Sequence, residues 1–240
     1  MFSYKEYLDL MLPFRSFLKS YDQALDSERF VISRHDVEFD PNRALELAKI
    51  ENDAGLKSTY FFQSCSDAYN ITSVSNRKIL AEIETLGHEV GLHLYVSHLK
   101  SYDELTFNKE VSLQTASLNQ ILPNGIKTFS VHRPKSWFLE IRKDVICSLL
   151  NAYGPSFFEY GENPKEIKYF ADSMHRWNYG VPEYHENFKK YQILTHPDEW
   201  FESPNTQHQN YHLTYRAHCE NFNKTMQAEN KVFETYEKIR

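Results

Sequence analysis

Short apolar runs that stop abruptly in histidine or aspartate, separated by stretches with helical spacing, set the main constraint on this chain. Val31-Ile32 runs into Ser33-Arg34-His35-Asp36-Val37-Glu38. The layout returns in His88-Glu89-Val90-Gly91-Leu92-His93, in Val131-His132-Arg133-Pro134, in Ala171-Asp172-Ser173 and in Leu194-Thr195-His196-Pro197-Asp198. A β-branched run that ends in charge reads as a buried strand stopping at a surface. In α/β folds, ligands and catalytic groups gather at such strand ends.

The intervening segments carry helix signals. Asp40-Pro41 places a capping Asp before a Pro at the first helical position, and Gly55 is the stop. Ser58–Phe62 then reads as a strand, so a βαβ unit occupies about thirty residues and favours a parallel sheet. Helices are also predicted over 3–21 with a kink at Pro13, and over 76–86, 103–122, 139–150 and from Gln207. Further strands are expected at 29–34, 88–92, 127–131, 167–171 and 191–195, with one more within 153–160. Alternation without a linker or repeat predicts one domain over 1–240, with its core at about 28–200. The expected class is α/β, a distorted (β/α)7 TIM-like barrel with extra N- and C-terminal helices. An open doubly wound sheet is the rival, but only seven Gly and no glycine-rich phosphate loop support it.

Charge and cysteine usage narrow the function classes. A net charge of −6 without a basic block argues against a nucleic-acid surface. Cys65, Cys147 and Cys219 have no paired spacing, which points to a reducing compartment rather than a disulfide scaffold. The N-terminus shows no basic segment followed by an apolar core, and no apolar run reaches the roughly 18 residues of a membrane span. A cytoplasmic location is therefore expected. The 15% aromatic content is first a packing feature, and surplus Tyr and Trp also suit a cleft where rings stack on sugars.

Asp36, His93, His98, His132 and His196 form the chemical core of the reading. One carboxylate with two imidazoles suits zinc or another borderline divalent ion (cobalt, nickel or manganese), with positions left open for water. Such an ion activates water and polarises a carbonyl, and a further His protonates a departing amine. Those parts specify hydrolysis of an amide or ester. A single His near a strand end is more often structural. His88, at the start of its strand, reads that way, and His175, His185, His208, His212 and His218 read as solvated. Asp40 reads as a helix cap. Glu38 stays open as a second carboxylate at the mouth.

Taken in order, these pieces resemble the polysaccharide deacetylase family (NodB-homology, carbohydrate esterase 4 type), as a divergent branch, over about residues 28 to 200. The resemblance rests on Arg34-His35-Asp36-Val37-Glu38, Gly87-His88-Glu89-Val90-Gly91-Leu92-His93, Val131-His132-Arg133-Pro134, Asp172-Ser173 with Arg176-Trp177, and Leu194-Thr195-His196-Pro197. It implies a distorted seven-strand barrel and a metal-dependent hydrolase, acting on linear amides, that removes an acetyl group from an N-acetylated sugar or glycan precursor. Asp36 and His93 take the places of metal ligands, with His98 or His132 as the third. His196 takes the place of the general acid, and Arg133 of the arginine that orients the base. Asp172 and Trp177 take the places of residues that wall the cleft and support the catalytic His, and Arg176 and Trp137 are also expected along the substrate cleft.

The sequence departs from the family pattern. His35 stands where the family has its basic aspartate, so His35 or Glu38 is the candidate base. The residue four after His93 is Ser97, and the next histidine is His98. The arginine-proline piece is one residue shorter than usual. The alternatives are a non-catalytic descendant that binds a carbohydrate or a protein partner, and an amidase acting on an amide that is not a sugar.

Overall fold

The computed structural model describes residues 1–159 and 164–230. Its elements run α1 (Tyr4–Met11), α2 (Tyr21–Leu25), β1 (Phe30–Val37), α3 (Pro41–Asp53), β2 (Thr59–Phe62), α4 (Val74–Thr85), β3 (Glu89–Leu94) and α5 (Glu104–Asn119). β4 (Thr128–Val131), α6 (Ser136–Leu139), β5 (Val145–Ile146), β6 (Leu149–Asn151), β7 (Ile167–Ala171), β8 (Lys190–Thr195) and α7 (Gln207–Glu229) follow. The strands form one curled eight-stranded sheet in the order β5-β6-β4-β3-β2-β1-β8-β7, parallel throughout except for the β5–β6 hairpin. The alternation of strands and helices predicts a distorted (β/α)7 barrel, and the sheet is the curled half-barrel form of that class, with eight strands. Among the described residues, no helix is long and apolar enough to cross a membrane.

Side-chain alternation along β1 assigns the two faces of the sheet. Phe30, Ile32, Arg34 and Asp36 point into the lumen, where Phe30 and Ile32 pack with Phe61, Ala152, Phe157 and Tyr21. Val31 and Val37 point out toward the helices and join the outer cores. Gly91 belongs to the lumen face. A Cβ there would lie 2.5 Å from the Phe61 ring and 2.9 Å from the Thr128 carbonyl oxygen, so only glycine admits this packing.

The lumen is plugged by a buried polar group rather than by aliphatic layers. Arg34, fully buried, donates through Nε and Nη2 to Asp36 at 3.2 and 2.8 Å, through Nη1 to Gln192 at 3.2 Å and through Nη2 to Tyr153 at 2.9 Å. Burying two opposite charges offsets desolvation only when both are hydrogen-bonded, as here.

Local sequence explains the departures from expectation. Pro13 ends α1 early, and the chain continues as a 3-10 turn over Leu12–Phe17 before α2. The helix expected over 139–150 is instead the short α6 followed by the β5–β6 hairpin. Positive φ at Cys147 (50°) and Ser148 (65°) makes the tight turn, and Val145-Ile146 and Leu149-Leu150 supply the strands. The strand expected within 153–160 is absent from 153–159, and Tyr160 lies outside the described residues. Asp40 caps α3, its side chain accepting from the Asn42 amide at 2.9 Å.

Candidate active site

Strand C-termini converge at one rim. Glu38 follows β1, His93 lies near the end of β3, and His132 follows β4. Among the described residues, these form the group able to hold a metal ion. His132 Nδ1 is 2.9 Å from Glu38 Oε1 and 3.2 Å from His93 Nε2, and His93 Nε2 is 3.8 Å from Glu38 Oε1. A triangle with those sides has a circumradius of about 2.0 Å, the bond length zinc makes to nitrogen and oxygen. Two imidazoles and one carboxylate are also the donor types a borderline divalent ion selects. Burial by itself raises the Glu38 pKa, but the His132 ring at 2.9 Å and the neighbouring His93 and His196 rings outweigh it and hold the group well below the carboxylate range.

The second half of the site is a histidine–aspartate pair. His196 follows β8, and Asp172 follows β7. His196 donates from its backbone N to both Asp172 oxygens at 3.1 Å and from Nδ1 to Oδ1 at 2.7 Å. Trp200 Nε1 donates to Asp172 Oδ2 at 2.8 Å. Burial by itself lowers the His196 pKa, but the charge and hydrogen bond of Asp172, followed by Glu38 and Asp36, push it up to about 10. His196 is thus held protonated with Nδ1 occupied, leaving Nε2–H as the proton it can give.

Both halves open on one cavity of about 820 Å³. Glu38, His93 and His196 line it beside Tyr169, Tyr179 and Tyr211. Arg133, exposed and at φ 48°, also lines it and makes no hydrogen bond or ion pair among the described residues. Asp198 is a cavity residue for which the sequence reading proposed no role. Its Oδ2 accepts from the Phe39 amide at 3.2 Å, and burial, then the charge of Asp40, raises its pKa to about 8.

The fold has known counterparts. It is similar to that of a CE4 esterase from Streptococcus mutans, with a TM-score of 0.51 and 14% identity over 77% of this chain and 82% of that one. The fold is that of a CE4 barrel. Weaker likenesses are a family 4 carbohydrate esterase from Bacillus anthracis (TM-score 0.43, 11% identity, 90% and 86% of the two chains) and a CE4 family pseudoenzyme from Bacillus anthracis (0.43, 12%, 80% and 61%). No sequence-family model matches the chain, and no curated protein does.

Within this barrel several expected site residues sit elsewhere. His35, a candidate base, is one residue out of phase with Asp36 and Glu38, so it faces the helices. There its Nε2 is 3.0 Å from Glu51 Oε1 and its Nδ1 is 2.6 Å from Thr195 Oγ1. Asp36, expected to ligate the metal, has both oxygens on Arg34 and accepts a further bond from Ser130 at 3.1 Å. Burial by itself raises its pKa, but Arg34 and then His93 lower it to about 2. His98 is half exposed, with Nε2 3.7 Å from Glu110 Oε1, and is not part of the ligand group. The alternative, His132, belongs to the group that could hold a metal ion.

The expected cleft residues divide in the same way. Asp172 lies under His196 and holds its ring, the supporting place the resemblance implies. Trp177 packs with Phe2 and Trp200, while exposed Arg176 donates to Asn178 at 2.8 Å, and both border a separate surface recess. Trp137 packs against Tyr102, Phe107 and Phe138. His175, read as solvated, is instead held between Glu199 Oε2 and the Asn205 carbonyl, each at 2.8 Å. Ser130, which the sequence reading missed, stands two residues before His132 on the lumen face. That spacing is its only signal.

Proposed function

We propose that the protein is a metal-dependent hydrolase that removes an acyl group, most simply acetyl, from an N-acylated sugar or glycan precursor. The observation that carries this reading is the opposition of two parts across one cavity: the Glu38–His93–His132 group and the His196–Asp172 pair. Glu38, His93 and His132 would hold the ion, which supplies Lewis acidity toward a water and an acyl carbonyl. Asp172 fixes the ring of His196 and keeps it protonated, so that Nε2–H can pass to the departing amine. Tyr169, Tyr179 and Tyr211 offer ring faces and hydroxyls to a sugar. The CE4 likeness supports an ester- or amide-cleaving descent for the barrel.

The test is release of acetate from a panel of N-acetylated sugars and simple amides by protein loaded with zinc or cobalt. Turnover that needs the ion and disappears in His196→Ala supports the proposal. Wild-type protein that takes up no transition metal overturns it.

One observation favours a second reading, a cleft that binds carbohydrate without turnover. With His35 turned outward and Asp36 committed to Arg34 and Ser130, the strand that carries the family's base offers no free base. Metal and sugar binding without acetate release would select that reading.

A further inference from the structure

We propose that Ser130 and Asp36 are positioning residues that lock His93 in the tautomer whose Nε2 is free to bind a metal. The proposal rests on the reading of Glu38, His93 and His132 as the ligand group.

An inventory of protons fixes the tautomer. Asp36 faces the guanidinium of Arg34 at 2.8 Å, with both groups buried, so it is an ionised acceptor. Ser130 Oγ lies 3.1 Å from Asp36 Oδ1 and 2.7 Å from His93 Nδ1. A serine hydroxyl has one proton to give. Asp36, acceptor-only, takes it, so Ser130 must accept from His93, and Nδ1 carries the hydrogen. In the neutral ring Nε2 then holds the lone pair. That atom is the one 3.2 Å from His132 Nδ1 and 3.8 Å from Glu38 Oε1.

Polarity therefore runs one way, from His93 through Ser130 to Asp36, and Arg34 anchors the far end. Gln192 and Tyr153 fix Arg34 in turn. A ligating histidine that donates its other N–H to an oxygen is oriented and made more basic by that bond, and losing such a partner costs about 10- to 100-fold in metal affinity. Here the residue standing at the family's metal aspartate acts one step removed, through a hydroxyl, while Glu38 two residues on faces the ion position. The exchange preserves side-chain phase along the strand, because Asp36 and Glu38 share a face.

Two measurements test this. In metal-free wild-type protein, long-range ¹H–¹⁵N correlation, with the His93 signal assigned by its loss in His93→Gln, should show the Nδ1–H tautomer. A dominant Nε2–H tautomer overturns the proposal without any core variant having to fold. Competition with a chromophoric chelator should show cobalt affinity falling about 10- to 100-fold in Ser130→Ala, with Ser130→Thr restoring it and His93 moving toward Nε2–H in the alanine variant only. Wild-type cobalt binding that Ser130→Ala leaves within twofold overturns this proposal alone. Failure of the wild type to bind cobalt overturns the ligand assignment and this proposal together.

Discussion

Glu51 gives the sharpest check on which face of β1 does chemistry. It is a fully buried carboxylate on α3, behind the strand. It accepts from Ser58 Oγ and Tyr60 Oη, both at 2.6 Å, from the Tyr7 hydroxyl and from the His35 ring at 3.0 Å. Burial by itself raises its pKa, but His35, then His88 and Ser58, outweigh it and bring the value from 4.5 down to about 2. Each unit is worth about 1.4 kcal/mol, so the shift corresponds to about 3 kcal/mol of folding stability. A depressed carboxylate pKa contributes fully above the unfolded value of 4.5 and loses that contribution as pH falls toward about 2. Urea unfolding from pH 7 to pH 3 should therefore show a steeper loss in wild type than in Glu51→Gln, with the difference reaching about 2 kcal/mol at pH 3. His35→Ala should likewise lower the unfolding midpoint while leaving kcat of the folded protein within about twofold. Parallel pH profiles for wild type and Glu51→Gln would refute the buried-network account. A large kcat loss in a fully folded His35→Ala would return His35 to the site.

Other expectations follow from the same geometry. His196→Ala should lower turnover by about 10²- to 10⁴-fold with metal content unchanged, measured by acetate release and elemental analysis. Glu38→Gln should lose bound metal in equilibrium dialysis, whereas His98→Ala, altering an exposed residue beside Glu110, should retain it. Arg34→Met should destabilise the protein by about 3–5 kcal/mol in chemical denaturation, because Asp36 is then a buried charge without its partner.

What the sequence disclosed, and what it hid, divides along physical lines. The β-branched runs and their helix caps made the α/β alternation and most strand positions readable. The helix expected over 139–150 failed because Val145-Ile146 and Leu149-Leu150 pair across a turn, and helical spacing cannot distinguish that from an apolar helix face over so short a span. In the site, the positions of Asp172 and His196 at strand ends were legible, and the resemblance implied that Asp172 supports the histidine, as its hydrogen bonds to His196 do. The base was left open between His35 and Glu38 although strand alternation separates them: it groups Arg34 with Asp36 and Glu38 and sends His35 to the opposite face. The third ligand could not be fixed, because His98 and His132 follow different strands and their separation depends on loop paths the sequence does not specify. Ser130 was missed because a serine in a strand is unremarkable until its neighbours are known.

The rim of the cavity has a different origin from its floor. Gln207 and Tyr211 reach it from α7, outside the sheet, and His218 on the same helix lies 3.1 Å from the Phe39 carbonyl. The proposed chemistry uses no side chain from α7. If the proposed chemistry holds, selection on this helix can retune which substrate fits without disturbing the groups beneath it, and exchanging α7 between relatives is the direct route to new substrate preferences on an unchanged set of groups.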